Sequence, residues 1–229
     1  MVVVALLVFV GAVIVIVLQL TRQSEGSLNP SVRAIDSANT ITDPEWFQQV
    51  YRDGFRLYVM HSTAWGACTP WDHTQPQLKM ALDAGLKIAV YTRDPNCWQA
   101  GIAATGPYQD QLQFFALDIE TEPGIAATRA MVDGVAATGV RPVIYTGSGM
   151  WPTIQGATAN RFADIPLWDA ATTSLNYSTW QANYQVPKPI SYNGWNRAKT
   201  MRVGVQQQLE YTLHGIKVDF NSFDATFLK

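Results

Sequence analysis

Charge is the first thing this chain is short of. Only 15% of its residues are Asp, Glu, Lys or Arg, and the formal net charge is −2. It has no run or stripe of Lys and Arg, so the electrostatic footprint of a nucleic-acid binder is missing. Cysteine is scarce as well: Cys68 and Cys97 are the pair, and no His stands close enough to either to complete a zinc signature. The acids are not spaced as a calcium loop, and the zinc helix motif is absent. Neither a metal nor a cofactor is expected. No internal repeat and no low-complexity tract interrupts the chain.

Apolar surface is what the chain has. Hydrophobic residues make up 48% of its 229 positions, enough for one large core or two small ones. Eight Trp and nine Tyr are many for this length. Such rings pack cores, and they also stack on flat ligand faces such as sugars.

Val2 to Leu18 is apolar throughout, and no ionisable side chain precedes Arg22. Roughly 20 helical residues span the hydrocarbon core of a bilayer. The reading is a transmembrane anchor over 1–21, touching membrane through residues 2–20, with a polar tether over 22–31. A cleaved secretory signal is the alternative. It usually has a shorter apolar region behind positive residues and a small-x-small cleavage site, for which only Ser24-Glu25-Gly26 is available. The expected location is a membrane-anchored, extracytoplasmic barrel or a secreted one.

From residue 32 to 229, strand-like stretches alternate with helix-like ones. Val32 to Asp36 is apolar and ends in an acid. Asp43-Pro44 supplies an N-cap and first turn, and Gly54 stops that helix. Strands follow at Phe55–Met60 and Leu86–Tyr91, separated by a helix opening at Pro76. A helix is expected over Ile125–Thr138, and further strands at Pro142–Thr146, Ile165–Ala170, Val203–Gln207 and Ile216–Asn221. Residues 171–200 are polar and carry no clear period. Eight short strands with helices between the early ones suggest a parallel α/β barrel, whose site lies at the C-terminal strand ends. Cys68 and Cys97 fall on neighbouring loops at that end. A disulfide suits an exported domain; two unrelated thiols are the other possibility.

The stretch from Phe114 to Gly124 carries the chemistry. As a buried strand it alternates faces, so Asp118 and Glu120 point the same way, about 6.6 Å apart along the strand. Two such carboxyls can divide glycosidic cleavage, one protonating the leaving oxygen and the other stabilising or attacking the sugar cation. Close and partly desolvated, they resist ionising together. Asp36, Asp169 and Asp219 also fall at or near strand ends, which points to a carboxylate-lined mouth.

Five motifs in order extend this reading. Ala34-Ile35-Asp36-Ser37, Leu117-Asp118-Ile119-Glu120, Arg141-Pro142-Val143-Ile144-Tyr145-Thr146 with Trp151, Pro166-Leu167-Trp168-Asp169-Ala170, and Gly215 to Asn221 resemble those of the family 25 glycoside hydrolases, the Chalaropsis-type lysozymes. The resemblance runs from about Arg33 to Phe223. It implies an irregular (β/α)5(β)3 barrel of TIM type. It also implies cleavage of the β-1,4 bond between N-acetylmuramic acid and N-acetylglucosamine in peptidoglycan, with no cofactor. By resemblance Glu120 is the general acid and Asp118 stabilises the developing charge. Asp36 and Asp219 are supporting acids, and Tyr145 lines the site. Trp168, Asp169, His61 and Trp65 are the remaining expected substrate contacts, and a monomer is expected. The chain departs from the family at three strand ends: His61-Ser62-Thr63-Ala64-Trp65-Gly66, Tyr91-Thr92-Arg93 and Val205-Gln206-Gln207. Those departures keep a second reading open, a catalytically silent barrel that binds glycan or a wall-associated partner.

Overall fold

A computed structural model of the chain describes residues 31–64, 66–171, 195 and 202–229. The expected anchor, the tether up to residue 30, and Trp65 lie outside the described residues. No helix among the described residues is long and apolar enough to cross a membrane.

Eight strands close into one ring: β1 (Ser31–Ser37), β2 (Phe55–His61), β3 (Lys87–Thr92), β4 (Leu112–Asp118), β5 (Pro142–Thr146), β6 (Leu167–Asp169), β7 (Arg202–Leu213) and β8 (Ile216–Asp224). Neighbours from β1 to β7 pair in parallel, while β8 runs antiparallel to both β7 and β1. Five helices sit between the early strands: α1 (Pro44–Arg52), α2 (Thr74–Asp83), α3 (Trp98–Ala104), α4 (Arg129–Ala137) and α5 (Trp151–Gln155). The molecule is thus a mixed α/β barrel.

Side-chain alternation builds two apolar layers. On β4, Phe114 and Ala116 enter the cluster inside the ring with Leu57, Val59, Val143 and Trp168. Phe115, Leu117 and Ile119 enter the cluster between ring and helices. A strand buried on both faces reads as a continuous apolar run, which is why β4 looks uniform in sequence. In α1 the Asp43 carboxylate accepts from Glu45 N at 2.9 Å, and Trp46, Phe47 and Val50 form the buried face.

Two expectations need correction. Residues 125–128 are not helical: Thr128 caps α4, accepting from Met131 N at 3.2 Å. Gln155 meanwhile holds Ala127 by both its N–H (3.0 Å) and its carbonyl (2.8 Å). Asp219 is not at the C-terminal end of its strand but near the start of β8. Because β8 is reversed, its early residues reach the rim formed by the late residues of the parallel strands, and Asp219 stands directly across from Asp36.

Candidate active site

Asp36, Asp118, Glu120 and Asp219 converge on one cleft at that rim. Parity explains the convergence. Ile119 is packed in the outer layer, so Asp118 and Glu120 on either side of it face inward. On β1, Ile35 is outward and Ala34 inward, which turns Asp36 inward too. The cleft holds about 280 Å3, near the ~300 Å3 lower bound of small-molecule sites. Tyr145, Trp168 and the exposed Leu209 also border it.

A hydrogen-bond network holds half of this acid set. Asn221 Nδ2 donates to Asp36 Oδ2 at 2.6 Å, and Gln206 Nε2 donates to Asp36 Oδ2 and Asp219 Oδ2, each at 3.2 Å. Tyr145 donates its hydroxyl to Gln206 Oε1 at 2.6 Å, and Trp168 Nε1 donates to Asn221 Oδ1 at 2.8 Å. Glu210 N donates to Asp219 Oδ1 at 2.7 Å. The two site aromatics are thereby tied to the acids through two amides. In contrast, Asp118 Oδ1 is buried with no hydrogen-bond partner among the described residues, so it can accept from a bound ligand or water.

Burial drives the electrostatics. It pushes the Asp36 carboxyl well up, and the Asp219 charge opposite adds to the effect against the Asn221 and Gln206 donors. Burial likewise raises Asp219 to about 6, against the Glu210 N–H that favours its charge. Asp118 is pushed well up by burial and then by Glu120; Arg93 opposes this. Burial raises Glu120 as well, again against Arg93. Four close carboxyls in a poorly solvated cleft share protons rather than all ionise. A proton donor is therefore present at pH values where an exposed carboxyl has lost its proton.

Not every expected residue reaches the cleft. Asp169 follows Trp168 on β6, and adjacent strand residues face opposite ways; Trp168 takes the inner face. Asp169 is buried outside the cleft, paired with Arg202 Nη1 at 3.0 Å. His61 packs its ring on Trp71, centroids 3.9 Å apart, and its Nδ1 lies 3.0 Å from Thr63 O. Burial pulls its pKa down, leaving the ring neutral at pH 7. It lines a smaller hollow next to the cleft, which Arg93 borders from both sides. Trp98 opens α3 and packs among the helices, against Gly134 of α4. Cys68 and Cys97 form a disulfide, Cα atoms 4.7 Å apart, joining the loops after β2 and β3. Gln206, Asn221 and Arg93 were missed as site residues, although Gln206 and Arg93 lie where the chain departs from the family pattern.

The barrel shares its fold with a muramidase. The overlap with the structure of muramidase from Trichobolus zukalii has a TM-score of 0.55 at 18% identity, covering 82% of this chain and 92% of that one. An uncharacterized B. stearothermophilus protein overlaps with a TM-score of 0.55 at 15% identity, over 86% of this chain and 100% of the other. No family model matches the sequence, and no curated protein does.

Proposed function

We propose that this protein is a glycoside hydrolase acting on cell-wall glycan, with a lysozyme-like cut at the β-1,4 bond between N-acetylmuramic acid and N-acetylglucosamine. The observation that carries the proposal is the gathering of Asp36, Asp118, Glu120 and Asp219 in one cleft beside Tyr145 and Trp168. The muramidase-like barrel supports it, as do the five ordered motifs.

In this reading Glu120, the less buried of the central pair, protonates the leaving oxygen. Asp118 faces the sugar ring with an oxygen that has no partner among the described residues and stabilises the oxocarbenium-like state, either as nucleophile or by orienting the substrate's acetamido group. Asp36 and Asp219 hold the shared protons and, through Gln206 and Asn221, the aromatic walls. The barrel is tethered to a membrane by residues 2–20 with its mouth in the extracytoplasmic space, or is secreted.

The altered strand ends at 61–66, 91–93 and 205–207, where the chain departs from the wall motifs of the family it resembles, favour the second reading, a barrel that binds glycan without cutting it. One experiment separates the two. Residues 30–229 are incubated with peptidoglycan and with chitin-like and other wall polysaccharides, and reducing ends are counted for wild type and Glu120→Gln. The hydrolase reading expects the variant to lose ~10²–10⁴-fold. An active wild type with an unaffected variant removes Glu120 from the mechanism. Binding without cleavage of any glycan leaves the silent barrel.

A further inference from the structure

Arg93 follows the last residue of β3. Thr92 pairs with Leu117, so the next step along both strands sets Arg93 beside Asp118. Its Nε donates to Glu122 O at 3.0 Å, and its Nη2 lies 4.0 Å from the Glu122 carboxylate. Glu122 sits in the middle of a turn that closes on Glu120 itself, Gly124 N donating to Glu120 O at 3.0 Å. The arginine's own loop is fastened: Asp94 Oδ1 accepts from Asn96 N at 2.8 Å, and Cys97 is bonded to Cys68.

We propose that Arg93 is the positioning residue of the Asp118–Glu120 pair: its guanidinium clamps the turn that follows Glu120 and brings one positive charge to face both carboxylates. This deepens the hydrolase reading and rests on it for the role of the pair.

The surroundings give Arg93 little help. Asp36 from β1 and Asp219 from β8 face the pair with like charge, and Glu210 on the β7–β8 hairpin and Glu122 on the turn add more. Tyr91 from β3 and Tyr145 from β5 stay neutral, since burial pushes both phenols up. Lys217 is the other cation bordering the cleft among the described residues, but its ammonium is held by Glu210 O at 3.0 Å. Among the described residues, the favourable charge acting on Asp118 and on Glu120 is that of Arg93. A guanidinium suits the task, because its planar fork can clamp a carbonyl while keeping its charge in a part-buried place.

Arg93→Gln and Arg93→Lys test this, with thermal unfolding to show that each folds. The side-chain carboxyl carbons of Asp118 and Glu120 are titrated by NMR, a readout independent of turnover. In Arg93→Gln both titrations are expected at higher pH than in wild type, and both limbs of the pH–rate profile move the same way. Arg93→Lys keeps the charge but not the fork, so its titrations stay near wild type while kcat falls. Titrations of Arg93→Gln that coincide with wild type overturn the proposal, whatever the activity. If they move but wild type cuts no glycan, the hydrolase reading fails and the assignment of Arg93 stands.

Discussion

At the scale of single residues, the acids were legible because period-two alternation tells which neighbours share a face. The same rule shows why Trp168 and Asp169 cannot both contact a substrate from β6. What sequence could not show is that Gln206 and Asn221 bond to partners as much as 185 positions away. Such partners become visible only once the ring has closed. Gln206 satisfies three polar groups at once. Gln206→Leu removes these bonds and leaves the Tyr145 hydroxyl without its acceptor. The expected loss is ~1–3 kcal/mol of stability, read from urea unfolding; under the proposed hydrolase function, glycan cleavage falls in parallel.

At the scale of elements, strands and helices were predictable where one face is apolar and the ends carry turn chemistry, as in α1 with its Asp43 cap and Gly54 stop. The start of α4 was not, because Ile125 and Ala127 continue the apolar pattern while Gln155, remote in sequence, claims the Ala127 backbone. Close approach between elements was equally hidden. A Cβ at Gly204 of β7 meets Phe223 Cε1 at 2.4 Å inside the ring, so Gly204→Ala crowds the inner layer. Overpacking of this kind costs ~1–3 kcal/mol, measurable as a lower urea midpoint. The disulfide closes a 29-residue separation. Cys68→Ser with Cys97→Ser should lose ~2–4 kcal/mol, visible as a lower Tm under non-reducing conditions that vanishes when both proteins are reduced.

For the whole molecule, the acid mouth sets how stability depends on pH. Asp36, Asp118, Glu120 and Asp219 all have folded-state values raised above their ordinary ones. For Asp219 the window runs from 3.8 to about 6. Within it the folded chain binds more protons than the unfolded one, so stability falls as pH rises and levels off above the folded values. Exposed carboxylates such as Glu45, lowered by Arg52, pull the other way but are screened by solvent. Asp36→Asn keeps an acceptor for Asn221 and Gln206 while removing the buried charge. Its Tm is expected to exceed wild type at pH 7 and to converge with it near pH 4, followed by circular dichroism; under the proposed hydrolase function, cleavage falls.

The reversed β8 also decides which pole of the ring carries its two ends. Ser31 pairs with Asp224, so the barrel's first residue and the end of its last strand meet at the pole opposite the acids. There Phe227 and Leu228 plug the ring, and Lys229 N donates to Gln113 Oε1 at 2.6 Å. Ser31 thus sits at the end of the ring remote from the acid cleft, and whatever enters that cleft meets the barrel on the face the chain ends leave clear.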